Sequence, residues 1–239
     1  MSLPIVAVVG ITGAQGGAVA RHIKAGGKFA IRGITRNTES DKAKKVQEEL
    51  GCELVKADLD DKASLIKAFA GCHGAFLITN FWEIFDTEKE FEQGKNLGDA
   101  ALESGVKHCV FSSLEHADKI LVEGKTAIPL IKGHRVPHYD AKGMAMDHYR
   151  SIGLPVTEYF TSFYYENFIQ FGMGPKAPEP GGVKAITFPL GDTSMPMVAV
   201  ADIGKFGAKI FEDEALIGQQ VHLRKQMSSL AMKITTRIT

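Results

Sequence analysis

The stretch Val6–Ile23, VAVVGITGAQGGAVARHI, decides the fold of this chain. An apolar run leads into three glycines, Gly10, Gly13 and Gly16, which are spaced GxxGxxG and precede residues that favour a helix. In such a strand–turn–helix unit the first glycine permits a tight turn, the second lets a phosphate approach the backbone, and the third lets helix and strand pack closely. The helix N-terminus offers amide N–H groups and a partial positive charge to a pyrophosphate. The stretch therefore predicts dinucleotide binding, the alternative being a glycine-rich turn without a ligand.

Apolar strand-like runs alternate with helical patterns along most of the chain. Strands are predicted over Ile5–Val9, Ala30–Thr35, Cys52–Lys56, Gly74–Thr79, His108–Ser112 and Pro155–Phe160. Helices are predicted over Gly16–Ala25, Asp41–Leu50, Ala63–Ala70, Thr87–Ser104, Asp140–Ser151 and Asp202–Phe211, the last with Asp202 as N-cap. This order predicts βαβ units and an α/β, Rossmann-type, doubly wound parallel sheet. We expect residues 1–155 to form the dinucleotide-binding domain, and residues 156–239 to add the remaining strands and a partial C-terminal lobe.

The end of the second strand indicates which dinucleotide is bound. A site for NAD places Asp or Glu there to accept a hydrogen bond from the ribose 2′-hydroxyl. This chain has Arg36 instead, followed by Asn37 and Thr38. Because a guanidinium pairs well with a phosphate, Arg36 favours NADP(H), the alternative being a solvated surface arginine. Asp58 and Leu59 follow the third strand and are placed to border the adenine, although Asp58 fits a helix N-cap equally well.

Composition and charge exclude several classes of protein. The 239 residues are 44% hydrophobic and 23% charged, and 28 Lys and Arg balance 28 Asp and Glu. We therefore expect a globular protein that is not held on nucleic acid or a membrane by bulk charge, and we predict no metal site. Three cysteines without a CxxC pair fit a reducing compartment, so we expect a cytoplasmic protein, with the nucleus as an alternative location.

The segment HYDAKGMAMDHYR, from His138 to Arg150, raises the question of catalysis. Short-chain dehydrogenases use a Tyr-x-x-x-Lys pair on a helix at this place, because residues four apart share a helix face. Here the residue four before Lys142 is His138, and Tyr139 lies only three before it. His138 could act as a general acid, Tyr139 could serve if the helix begins irregularly, or Lys142 binds the nicotinamide ribose without dehydrogenase chemistry. We prefer the third interpretation.

Several stretches together carry a family resemblance: VVGITGAQGGAVAR, TRN, ADLDD, ITNFWE, QGKNL, FSSLE, HYDAKG and FYYEN, spread between Ile5 and about Leu223. With these motifs the chain resembles the NmrA-like family of atypical short-chain dehydrogenases. The resemblance implies NADP(H) binding, no catalytic tyrosine, and a role as a redox-sensing regulator with a protein partner and a possible homodimer. Other members of the wider group are reductases of small carbonyl or quinone compounds, which is the alternative function.

The resemblance also implies roles for individual residues. The turn would hold the pyrophosphate, Arg36 the 2′-phosphate, Asp58 and Leu59 the adenine, and Thr79 and Asn80 the ribose. Lys142 and the run that follows the last predicted strand would surround the nicotinamide. The implied turn residues are Gly10, Ile11, Thr12, Gly13, Ala14, Gln15 and Gly16, and the run is Tyr164, Tyr165, Glu166 and Asn167. Without a ligand, this FYYEN run would be aromatic packing beside a capped turn.

Four features depart from the family pattern. Glu39 and Ser40 stand where a second basic residue often follows the arginine, and Glu92 stands where a lysine would be expected to reach the cofactor. The segment Asp118–Pro137 is longer than expected, and the chain ends earlier than a typical member. We therefore expect an incomplete substrate-side lobe that leaves apolar surface uncovered, unless Leu216–Thr239 folds back over the cleft.

Overall fold

The computed structural model describes residues 2–120, 129–177, 182, 184, 186 and 195–223. Its strands are β1 (Ile5–Val9), β2 (Ala30–Thr35), β3 (Glu53–Lys56), β4 (Gly74–Leu77), β5 (His108–Ser113), β6 (Val156–Phe160), β7 (Phe163–Tyr164), β8 (Met197–Val198) and β9 (Gln220–His222). Its α-helices are α1 (Ala14–Gly26), α2 (Asp41–Leu50), α3 (Lys62–Phe69), α4 (Phe81–Ile84), α5 (Thr87–Glu103), α6 (Ala117–Ile120), α7 (Pro137–Ser151), α8 (Asn167–Gln170) and α9 (Val200–Ile210). A 3-10 turn covers Glu214–Leu216.

Seven of the strands form one parallel sheet in the order β3-β2-β1-β4-β5-β6-β9. The predicted doubly wound α/β fold is therefore confirmed. The strand order reverses between β1 and β4, and ligands in open parallel sheets bind at such a point, beyond the carboxyl ends of the strands. Gly10, Arg36 and Thr79 follow β1, β2 and β4 at this edge.

Helices cover both faces of the sheet, so its central strands are apolar on both sides, as parallel sheets require. On one face Leu65, Leu97 and Tyr149 from α3, α5 and α7 pack on the strands in one buried cluster. On the other face Val19 and Ile203, from α1 and α9, belong to a second buried cluster. This two-sided burial holds the carboxyl edge of the sheet rigidly in place.

Some of the residues after β6 form a small lobe. β7 and β8 pair in a separate two-stranded sheet, while β9 returns to the main sheet beside β6. Strands on both sides of residue 155 thus share one sheet, and the division at that residue stays a prediction. The tail Arg224–Thr239 lies outside the described residues. Among the described helices, none is both long and apolar enough to cross a membrane.

Four predicted helix starts were displaced, that of α3 by one residue, from Ala63 to Lys62. α1 begins at Ala14 instead of Gly16, which places the last three glycine-turn residues, Ala14, Gln15 and Gly16, inside its first turn. α7 begins at Pro137 instead of Asp140, because proline suits the first turn, where its missing N–H costs nothing. The prediction that Asp202 caps α9 is wrong: the helix starts at Val200 and Asp202 lies within its first turn.

Candidate functional site

The glycine turn has the geometry that phosphate binding requires. Gly10 adopts φ of +63°, a conformation that costs glycine nothing, and its amide donates to the Ile34 carbonyl at 3.1 Å. The Gly13 amide closes the turn onto the Gly10 carbonyl at 2.8 Å. A Cβ on Gly16 would lie 2.7 Å from the Val9 carbonyl oxygen, so any side chain there would push α1 away from β1. The roles of the first and third glycines in turn and packing are thereby explained.

No side chain caps the first turn of α1. Gly13 is the N-cap and has no side chain to accept from them, whereas α2 and α3 are capped by Ser40 and Asp61. The Ile11 side chain points into the core, and Thr12 is half-buried. The exposed backbone at Gly13 and Ala14 thus fits an anion, which helix N-termini attract.

Gln15 connects this turn to the FYYEN run. Its Nε2 donates to the Tyr164 hydroxyl, while its Oε1 is buried with no partner among the described residues. Burial raises the pKa of Tyr164, so the phenol is protonated at neutral pH. A buried acceptor with nothing to accept from costs free energy, which makes Gln15 Oε1 a place where a ligand donor would be stabilising.

The other residues of the run build the small lobe. The Tyr165 amide donates to the Val198 carbonyl at 3.0 Å, and Glu166 Oε1 accepts from the Val200 amide at 3.0 Å. Glu166 is therefore the side chain that satisfies the first turn of α9, and Asn167 begins α8. A cleft of about 320 Å³ separates this lobe from Gly13 and Ala14. Of the four predicted residues, Tyr164 is the one joined to the glycine turn by a described hydrogen bond.

Arg36 lies at the end of β2, with a largely exposed side chain. Its Nη2 is 2.5 Å from Oε1 of Glu83 on α4, and this hydrogen bond raises the pKa of the guanidinium. The negative charges of Asp58 and Asp60 act in the same direction. Arg36 thus stands at the predicted place, already in contact with a carboxylate that the sequence analysis did not assign to the site.

Asp58 and Leu59 form the loop after β3. Asp58 Oδ1 accepts from the Asp60 amide at 3.0 Å, and the Leu59 carbonyl accepts from Asn96 Nδ2 at 2.9 Å. The alternative that Asp58 caps α3 is wrong, since Asp61 is the N-cap and accepts from the Ser64 amide at 3.2 Å. The Asp58 side chain stays exposed on the edge beside Arg36.

Thr79 and Lys142 meet behind the carboxyl end of β4. Lys142 Nζ donates to the Thr79 carbonyl at 3.1 Å and to its Oγ1 at 2.7 Å, and lies 3.1 Å from Glu90 Oε1. Thr79 Oγ1 in turn donates to Glu90 Oε1 at 2.6 Å. An ammonium has three N–H donors, and these three acceptors match them. Asn80, by contrast, is exposed as the residue that precedes α4.

His138 and Tyr139 lie on the first turn of α7, and neither resembles an activated proton donor. The His138 ring contacts Phe81 and Trp82 with centroid distances of 5.7 and 4.9 Å, and burial lowers its pKa. Burial raises the pKa of Tyr139. Because α7 is regular from Pro137, the irregular helix start that would have let Tyr139 serve as the proton donor does not occur.

Sequence reasoning missed Glu90 and Glu83. Glu90 shares a buried face of α5 with Gly94, Leu97 and Ala101, and a carboxylate in such a stripe signals a buried ionic partner. No sequence pattern marks Glu83 as a site residue, because α4 is a single turn. Its approach to Arg36 depends on how the ends of β2 and β4 are placed on either side of β1.

Comparisons with known proteins agree with this fold. The chain is 35% identical over 219 residues to the NmrA-like family domain-containing oxidoreductase cpsB of Aspergillus campestris, covering 86% of this chain and 62% of the relative. It is 34% identical over 172 residues to an NmrA-like family domain-containing protein of Dictyostelium discoideum, covering 70% and 53%. The chain therefore spans less than two thirds of the length of these relatives.

Solved structures share the fold. NmrA, a negative transcriptional regulator, superposes with a TM-score of 0.75 at 24% identity over 93% of this chain and 67% of that one. A triphenylmethane reductase of Citrobacter sp., solved with NADP(H), superposes with a TM-score of 0.73 at 23% identity over 94% and 71%. The sequence model of the NmrA-like family matches residues 4–235. On this evidence the chain belongs to the NmrA-like family.

Proposed function

We propose that this chain binds NADP(H) and acts as a redox-sensing regulator of a protein partner. The observation that carries the binding proposal is the glycine turn, with its positive-φ Gly10 and a helix N-terminus that no side chain caps. The turn amides would hold the pyrophosphate and Arg36 the 2′-phosphate. NmrA has been solved with NAD and with NADP, which supports the assignment of the ligand class.

The geometry behind β4 favours regulation over reduction. A dehydrogenase needs a side chain that can give a proton to the substrate and a cation that lowers its pKa. Here the three N–H donors of Lys142 are matched by Thr79 and Glu90, so none is left over for a substrate. His138 has a lowered pKa and is neutral at pH 7, and Tyr139 has a raised pKa. The site is therefore suited to holding a cofactor but poorly suited to proton transfer.

A reductase of small carbonyl or quinone compounds is the second candidate. Several relatives carry the name oxidoreductase, among them cpsB and the Aspergillus flavus protein lnaB, which is 32% identical over 213 residues. His138 and Lys142 are four residues apart on α7 and so share a helix face. Turnover would require Lys142 to leave its present partners or His138 to act as the acid.

Cofactor titration tests the binding proposal. We expect NADPH to bind more tightly than NADH, and Arg36→Ala to weaken NADPH about ten- to a hundredfold, because a charge-assisted contact contributes about 1.5–3 kcal/mol. NADPH fluorescence measures both affinities. Lys44→Ala is the matched control, since Lys44 is an exposed cation of the same region that pairs with Glu39. Equal affinity for the two cofactors in the wild-type protein, or an unchanged Arg36→Ala variant, would contradict the proposal.

A substrate panel separates the two candidates. Quinones, aldehydes and enones are incubated with the protein and NADPH, and cofactor consumption is followed by absorbance. We expect no turnover, together with a change in elution volume when NADP(H) is added, since a regulator must alter its surface or assembly. Turnover that is lost in a folded Lys142→Ala variant would favour the reductase.

A further inference from the structure

The ion pair between Arg36 and Glu83 brings a carboxylate to the end of β2. The chain itself has no acid at this position, where sites for NAD carry Asp or Glu. Glu83 lies on α4, which directly follows the residue after Thr79, and its own amide donates to the Asn80 carbonyl at 3.3 Å. Packing of the Phe81 ring against Trp82 and Phe85 orients this single turn. Its carboxylate thereby reaches across from the end of β4 to the guanidinium at the end of β2.

We propose that Glu83 is a specificity-determining residue. Its carboxylate competes with the 2′-phosphate of NADP(H) for Arg36, and this competition reduces the preference of the site for NADP(H) over NAD(H). This inference rests on the proposed cofactor site. A carboxylate and a phosphate use the same N–H donors of a guanidinium. A phosphate that pairs with Arg36 must therefore displace Glu83 or remain beside a like charge.

The other acids near Arg36 are engaged elsewhere. Asp60 pairs with Lys89 at 2.8 Å and accepts from Gln93 at 2.9 Å, and Asp58 accepts from its own loop. Among the described residues, Glu83 is the acid that an ion pair joins to Arg36. Both side chains are at least half exposed, so a bound phosphate can replace the contact without unfolding α4.

Trp82, next to Glu83, is a built-in reporter of this exchange. It is the one tryptophan of the sequence, it is 62% exposed, and its ring contacts Phe81, Phe85 and His138. When a 2′-phosphate takes Arg36 from Glu83, the turn that carries Trp82 loses its tether to β2. Adenosine 2′,5′-bisphosphate should therefore change the emission of Trp82 more than AMP, which lacks the 2′-phosphate.

The experiment measures NADP⁺ and NAD⁺ affinities by calorimetry in four variants. We expect Glu83→Gln to tighten NADP⁺ binding about three- to tenfold, because a partly exposed ion pair that competes for Arg36 is removed, and to change NAD⁺ binding less than about twofold. Glu39→Gln removes one exposed acid from the same loop region and should leave both affinities within about twofold. In an Arg36→Ala background, Glu83→Gln should have no effect on NADP⁺, because the shared partner is gone.

Three outcomes would overturn the inference. The first is a Glu83→Gln variant that binds NADP⁺ no more tightly than the wild type. The second is an equal gain in the Arg36→Ala background, which would reflect long-range charge instead of competition. The third is a wild-type protein that binds neither dinucleotide, which would refute the proposed function as well. If the wild-type protein binds the cofactor and Glu83→Gln does not change the NADP⁺ affinity, the competition is refuted while the proposed function stands.

Discussion

At the scale of single residues, Lys142 and Glu90 form a buried ion pair. The Glu90 side chain is fully buried and that of Lys142 is 11% exposed. Lys142→Met would leave a carboxylate buried without its cation, which we expect to lower the free energy of unfolding by about 3–5 kcal/mol. Urea denaturation measures the loss.

A double variant provides the control for this pair. Lys142→Met with Glu90→Leu removes both charges, and replacing a buried pair by apolar groups is often nearly neutral. We expect the double variant to recover most of the lost stability. A single Lys142→Met variant as stable as the wild type would show that Glu90 does not depend on Lys142.

His108 makes stability depend on pH. Its ring is buried against Phe211 and Thr157, and burial lowers its pKa to about 4, helped by the charge of His73 and opposed by Glu214 and Asp213. Between pH 6.5 and 4 the unfolded chain binds a proton that the folded chain does not. The contribution of His108 to stability is therefore fully present above the pKa of the unfolded chain's histidine and is lost as the pH is lowered. The free energy of unfolding should decrease by about 2 kcal/mol from pH 7 to pH 5.

The measurement compares urea denaturation at pH 7 and pH 5 for the wild type and for His108→Gln. The variant keeps a polar side chain that cannot titrate in this range, so its loss of stability between the two pH values should be smaller by about that amount. Identical losses in the two proteins would contradict a neutral, buried His108.

At the scale of elements, α5 and α7 pack closely because glycines of α5 leave room for the ring of Tyr149 on α7. A Cβ on Gly98 would overlap this ring, and the Tyr149 hydroxyl donates to the Gly94 carbonyl at 2.7 Å. We expect Gly98→Ala to destabilise the protein by about 1–3 kcal/mol through overpacking, as measured by thermal unfolding.

Gly26, in the last turn of α1, offers the matched helical control. A Cβ there would meet its nearest neighbour, Glu212 Oε1, at 3.8 Å, which is an ordinary contact. Gly26→Ala should be neutral or stabilise by about 0.4–1 kcal/mol, because alanine restricts the unfolded chain. Equal changes in thermal stability for Gly98→Ala and Gly26→Ala would show that α5 and α7 can move apart to accommodate the added methyl group.

At the scale of the whole molecule, the small lobe presents apolar side chains to solvent. Ile169, Phe171 and Met173 are 84%, 69% and 45% exposed, beside the cleft that faces the glycine turn. Clustered exposed apolar residues favour association, so we expect the protein to self-associate as its concentration rises. Size-exclusion chromatography over a concentration series measures this.

Substitution within the lobe tests the cause of association. Ile169→Ser with Phe171→Ser should shift the association to higher concentration and leave cofactor affinity unchanged, since neither residue contributes to the turn or to Arg36. Leu3→Ser, which removes a half-exposed leucine near the opposite edge of the sheet, should have no effect. Association that is insensitive to the lobe variant would place the contact elsewhere.

What the sequence determined by itself is local. The apolar runs, their spacing and the GxxGxxG pattern determined the parallel sheet and the glycine turn, because the conformational freedom of glycine and the apolar composition of buried parallel strands are properties of short stretches of sequence. The same local reasoning placed Arg36 at the end of β2 and Lys142 on α7. It erred at Asp202, since the capping carboxylate of α9 comes from Glu166, which is distant in sequence.

The tertiary structure alone decided which charges meet. Lys142 finds Thr79 and Glu90 because α5 and α7 pack side by side across the end of β4, and Arg36 finds Glu83 because β2 and β4 flank β1. These pairs join residues 47 to 63 positions apart. A charged side chain has no periodicity that marks its partner, and its partner is chosen by distance in the folded state, so no pattern along the chain could have assigned them.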